Sequence, residues 1–151
     1  MMNAFKRLFT PRTPALKAMD PQVAAAALMV EAALVDGVYV NIESDMIAEI
    51  LLEAFGFDAD KADTVLAEGE ALAEEAVDSF QFTRHVKKLA MVERVSIIEG
   101  LYRVALSDGE KSPIEEAYIR QVASLLYVDD VSRAGARQRA EARIAGASDP
   151  A

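Results

Sequence analysis

Apolar residues recur at three- and four-residue steps along nearly the whole chain, and no stretch sustains strict alternation. That period predicts helices and no strands. The most uniformly apolar run, Val23 to Val30, is cut only at Glu31. Asp20-Pro21 in front of it supplies an N-cap and a proline at the first helical position, so a helix should run to about Val35 and end at Gly37. A second helix is expected from about Asn41 to Phe55, with Ile42, Met46, Ile47, Ile50, Leu51 and Ala54 on one face and Gly56 as its stop. A third, acidic helix covers about Asp58 to Asp78, on a stripe of Ala62, Val65, Leu66, Leu72 and Val77. A short helix near Thr83–Leu89 precedes a longer one over about Met91–Ser107, carried by Val92, Val95, Ile98, Leu101, Tyr102, Ala105 and Leu106. Ser112-Pro113-Ile114-Glu115 is a capping box that opens a helix to about Tyr127. Asp129 or Asp130 can cap a last helix reaching Ile144. The pattern therefore predicts an all-α single domain of about seven helices.

Length and charge refine this picture. A chain of 151 residues suits one domain and can bury roughly 70% of its unfolded surface. The absence of cysteine excludes disulfides, thiolate metal sites and a cysteine nucleophile. Residues 1–19 hold four bases and no acid, whereas residues 20–130 hold eight bases and 23 acids, within a total of −9. Such an acidic body repels phosphate backbones, so the expected partners are cations or basic protein surfaces and not nucleic acid. No apolar run approaches the roughly 20 residues of a membrane span, and the N-terminal stretch lacks the apolar run of a signal peptide, so the cytoplasm is the expected location. Three regions follow: a basic arm over 1–19, a helical domain over 20–145 and a frayed tail over 146–151. In the arm, Phe5, Leu8 and Phe9 lie beside Lys6, Arg7 and Arg12, a composition that suits contact with anionic lipid or a partner through residues 1–12; the alternative is an arm that folds onto the domain or stays disordered. Thr10-Pro11-Arg12-Thr13-Pro14 reads as an extended linker.

Sliding the chain against itself by 72 residues aligns 29–58 with 101–130 without gaps. Eight positions are identical, Ala33, Leu34, Asp36, Gly37, Ile42, Glu43, Ile47 and Asp58 matching Ala105, Leu106, Asp108, Gly109, Ile114, Glu115, Ile119 and Asp130. An internal pseudo-twofold repeat of two helical hairpins is expected, sharing one core because neither hairpin can bury its apolar face alone. The repeated motif is Asp-Gly-x5-Glu. It matches the end of an EF-hand loop, but Ala32, Leu34, Val104 and Leu106 occupy the earlier ligand positions and cannot bind calcium, which excludes that motif. Two roles remain for Asp36, Glu43, Asp108 and Glu115. They can cap helix starts and complement helix dipoles. Alternatively, because Glu43 shares a face with Ile47 and Ile50, and Glu115 with Ile119 and Val122, they can be hard oxygen ligands for magnesium, calcium or manganese.

The two copies, Leu34-Val35-Asp36-Gly37 with Glu43 and Leu106-Ser107-Asp108-Gly109-Glu110 with Glu115, resemble the tellurite-resistance TerB family over about residues 20–130. The second copy is the closer match; the first has Tyr39 and Val40 where the turn is usually polar. The resemblance implies an all-α fold with internal pseudo-symmetry and acidic helix junctions that bind divalent metal. It also implies a link to tellurite and other stress resistance through protein complexes near the inner membrane, and no enzymatic activity.

Little else in the sequence carries chemistry. His85, the single histidine, reads as a surface or packing residue. There is no Walker loop and no Gly-x-Ser-x-Gly elbow. Tyr102, Tyr118 and Tyr127 fall on apolar stripes and are expected in the core. The acids between Glu68 and Asp78 read as a solvated face on which a basic partner can dock. The expected function is a TerB-like interaction module with a divalent cation at its acidic junctions. The alternative is a ligand-free helical adaptor that docks a basic protein; an enzyme built on paired carboxylates is the weakest reading, since no second kind of catalytic group accompanies them.

Overall fold

The computed structural model describes residues 19–34, 41–76, 80–106 and 113–148, with the backbone alone at 41–43, 113–115 and 147–148. These residues form seven helices and no strand: α1 (Pro21–Leu34), α2 (Asn41–Phe55), α3 (Ala59–Glu74), α4 (Thr83–Val86), α5 (Met91–Ala105), α6 (Pro113–Leu125) and α7 (Asp130–Ser148). The all-α expectation holds. The basic arm before Met19 and the Asp-Gly turns lie outside the described residues.

Local chemistry sets the helix ends. Asp20 Oδ1 accepts from the Gln22 amide at 2.7 Å, Asp58 Oδ1 from Lys61 at 2.8 Å and Asp129 Oδ1 from Ser132 at 2.7 Å, each satisfying an amide that the first helical turn leaves without a partner. Gly56 closes α2 at φ +70°, where a side chain would be strained. Some ends differ from those expected. The third helix stops at Glu74 and not near Asp78, and α4 is a single turn. The last helix passes Ile144 and runs to Ser148.

Helix α1 is the hub. Ala24 to Val30 and Ala33 are all buried, and α1 packs against α2, α3, α4, α5 and α6. A helix apolar all round can only be central. Its small residues let neighbours come close. A Cβ placed on Gly69 of α3 would lie 2.7 Å from the Ala26 Cβ and 2.8 Å from the Ala27 amide nitrogen. At Gly100 of α5 the same atom would lie 2.7 Å from Ile50 and 3.3 Å from the Met29 sulfur. The pairing is reciprocal about the α1–α5 contact. α1 packs on α3 as α5 packs on α7, and α2 reaches α5 as α6 reaches α1. The starts of α2 and α6, Asn41 and Pro113, are 72 residues apart. The reciprocity stops there: α2 also packs on α3, whereas α6 makes no comparable contact with α7 among the described residues.

Two expected core residues lie outside the core. Val92 is 73% and Tyr127 70% exposed. Val92 sits in the first turn of α5, before the stretch Ile97–Ala105 that is buried. Tyr127 occupies the left-handed position at φ 58° that ends α6. The Val128 amide there donates back to the Ala123 carbonyl at 2.9 Å, the pattern of a Schellman end. That turn points the ring outward, where the Lys87 ammonium lies 5.1 Å from its centre. Tyr102 is fully buried as expected, and Tyr118 is half-buried against the core.

His85 is a packing residue, 5% exposed, with neither ring nitrogen hydrogen-bonded. Burial lowers its pKa below the usual 6.5, and the Lys88 and Arg84 cations lower it further. The folded chain therefore holds a neutral ring, and this contribution is complete above pH 6.5. Below 6.5 the unfolded chain takes up a proton first, so stability falls with pH. Urea unfolding at pH 7.5 and pH 5 should show the loss, and His85→Gln should show a smaller one. Gly69→Ala should destabilise by about 1–3 kcal/mol, because α1 and α3 must separate. At Gly146 of α7, where an added Cβ meets nothing, the same change should stabilise by up to about 1 kcal/mol.

Candidate functional site

The four acids expected to form a site fall at the edges of the described residues. Asp36 and Asp108 lie outside them. Glu43 and Glu115 have backbone in the first turns of α2 and α6, where a carboxylate complements the helix dipole; their side chains lie outside the described residues. Among the described residues no group of three or more histidine, aspartate or glutamate side chains is placed to hold a metal.

The elements that carry these acids converge. Met29 of α1 lies beside Gly100 of α5, and a cavity of about 10 Å³ one turn further on is lined by Ala32, Val104, Ala105, Tyr118 and Ile119, with Leu101. Helices α1 and α5 therefore advance in the same direction and end side by side, with the middle of α6 against them. Both chain segments that carry Asp-Gly leave from this one end of the molecule.

The polar groups near that end are held in distinct ways. The Tyr118 hydroxyl is buried without a hydrogen-bond partner. Burial pushes its pKa above the usual phenol range, and the Glu31 carboxylate raises it further. Its ring stacks on Phe80 with centroids 5.6 Å apart. Glu116, the neighbour of Glu115, is committed to structure: it accepts from the Tyr102 hydroxyl at 3.0 Å and lies 3.5 Å from Arg137 and 3.8 Å from Arg133. Burial raises the Tyr102 pKa, Arg133 opposes the rise, and Glu116 adds to it.

A second network ties α2, α5 and α7. Arg103 on α5 is only 6% exposed. Its guanidinium donates to Glu49 and, at 3.0 Å, to Glu53 of α2. Arg143 of α7 donates to the other oxygen of Glu53, and Arg139 reaches Glu99 at 2.7 Å. The forked guanidinium suits two carboxylates spaced one helical turn apart. Sequence reasoning missed Arg103. The available signal was a lone base inside the apolar run Leu101-Tyr102-Arg103-Val104-Ala105, since a charge on a buried stripe needs a partner.

A family model described as Tellurite resistance protein TerB matches residues 22–138, more than three quarters of the chain. No curated protein and no solved structure matches it.

Two substitutions test this geometry through urea unfolding. Tyr118→Phe removes a buried hydroxyl that satisfies nothing, so stability should hold or rise by up to about 1 kcal/mol. Arg103→Ala should cost about 1–3 kcal/mol, from lost packing of the side-chain stem and lost charged hydrogen bonds; the half-exposed Glu49 and Glu53 can rehydrate, which keeps the cost below that of a sealed ion pair.

Proposed function

The chain belongs to the TerB family, and we propose that it is a non-enzymatic interaction module that binds a divalent cation through Asp36, Glu43, Asp108 and Glu115. The observation that supports this reading is the common direction of α1 and α5, which sends both Asp-Gly segments out of one end of the fold. Four carboxylates brought towards one another repel, and a cation removes that repulsion. An all-oxygen ligand set favours magnesium, calcium or manganese. The sequence of the second junction adds the oxygens of Glu110 and Ser112, whereas that of the first has the less polar Tyr39 and Val40, so Asp108 and Glu115 carry the tighter half. The family description supports a role in tellurite or related stress resistance.

A second reading rests on the α3 surface, where Glu68, Glu74 and Glu75 are exposed. It makes the protein a ligand-free adaptor for a basic protein partner. No helix among the described residues is long and apolar enough to cross a membrane. A cytoplasmic module, held at a membrane if at all by peripheral contact, fits both readings.

Thermal melting with each ion separates them. Under the cation reading, an ion at about 100 times its Kd should stabilise the parent by about 2.7 kcal/mol. The gain should shrink in Asp36→Asn/Glu43→Gln and vanish in Asp108→Asn/Glu115→Gln. A parent indifferent to millimolar ion leaves the carboxylates as helix caps, each removal costing about 0.5–2 kcal/mol. A gain that survives both double variants moves the site elsewhere.

A further inference from the structure

Between the start of α1 and the end of α3 lies a cleft of about 370 Å³ that the cation reading does not use. Met19, Val23 and Leu72 line it with apolar surface and Asp20, Glu68 and Glu75 with carboxylates; among the described residues no base lines it. The three apolar residues are each only partly covered, while the residues behind them, Ala24 and Ala73, are buried. The cleft is thus apolar inside and anionic at its edge. The ligand chemistry it selects is an amphipathic segment with apolar side chains on one face and cations beside them.

The chain itself carries such a segment. Phe5, Leu8 and Phe9 follow the spacing of three and four that a helix places on one face, and Lys6, Arg7 and Arg12 are interleaved with them. Residues 1–19 hold no acid. Met19, a lining residue of the cleft, is also where this segment joins the domain. Met19 is ten positions beyond Phe9, a span of at most about 36 Å, so the attachment point keeps the segment at millimolar effective concentration around the cleft. We propose that the α1–α3 cleft is the docking site for residues 1–12 of the same chain, with Phe5, Leu8 and Phe9 on Val23 and Leu72 and the bases against Glu68 and Glu75. A basic protein partner directed at α3 must then displace the chain's own arm, which makes the cleft a self-occupied interaction surface.

The chain has no tryptophan, so Phe9→Trp in the full chain gives a single reporter of this contact. Its emission should be blue-shifted and shielded from acrylamide, at the same level from micromolar to a hundred times that concentration. Glu68→Lys/Glu75→Lys should shift the emission to the red and speed tryptic cleavage at Arg7 and Arg12 about tenfold, the change that loss of about 1.4 kcal/mol of attraction brings. Circular dichroism shows whether that variant is folded. Lys6→Glu/Arg7→Glu alters only the arm and should release it equally, and combining the two charge reversals should restore protection. A tryptophan exposed in the parent, or indifferent to both reversals, overturns the proposal. Shielding that fades on dilution also overturns it, by placing the arm on a second copy. So does shielding that appears only with vesicles containing anionic lipid, and to the same degree in the Glu68→Lys/Glu75→Lys chain.

Discussion

A helix with no polar face must be surrounded, and α1 has none: Ala24 through Val30 are sealed from water on every side. Five of the other six helices are placed by their contact with it. The alanines matter as much as the apolarity. Where Ala26 meets Gly69 there is no room for even one more carbon, so backbones pack closely and the crossing geometry tolerates little slippage. The direction of α5 beside α1 follows from the same fit, through Met29 at Gly100 and Ala32 at Val104. From that parallel pair it follows that α1 and α5 end side by side, the geometry on which the proposed cation site rests.

Charge is arranged around this apolar centre in two layers. Close to the core, Arg103 is matched to two acids, Glu49 and Glu53, and Glu116 to two arginines, Arg133 and Arg137. These contacts join α2 to α5, which also pack through Ile50 at Gly100, and α6 to α7. Further out, Glu68 and Glu75 line a cleft that has no base among its described residues. Acidic side chains thus stand at the cleft beside α3, and the sequence adds those of the two Asp-Gly segments.

Much of the fold was legible in the sequence because its punctuation is strong. Asp20-Pro21, Gly56, Asp58 and Asp129 mark helix ends by local hydrogen bonding alone, and the structure places ends at each of them. The errors came from burial, which is not local. Val92 and Tyr127 satisfy a helical stripe, yet no neighbouring helix covers the first, and the left-handed turn at the second sends its ring outward. Arg103 was invisible for the converse reason: its partners lie 50 and 54 residues away on α2. For the site, the sequence supplied the four acids and the 72-residue offset, and the fold supplied the shared end from which they depart.

Paramagnetic broadening of amide resonances by manganese tests the account most directly, because it locates the ion without a mutation. Sub-stoichiometric manganese should broaden residues flanking both junctions together, Leu34 and Ser44 beside the first, Leu106 and Glu116 beside the second. Met91, about a helix length away at the other end of α5, should stay sharp. Broadening centred on Glu68, Glu74 and Glu75, or on one junction without the other, would contradict the claim that the parallel α1–α5 pair assembles a single acidic site.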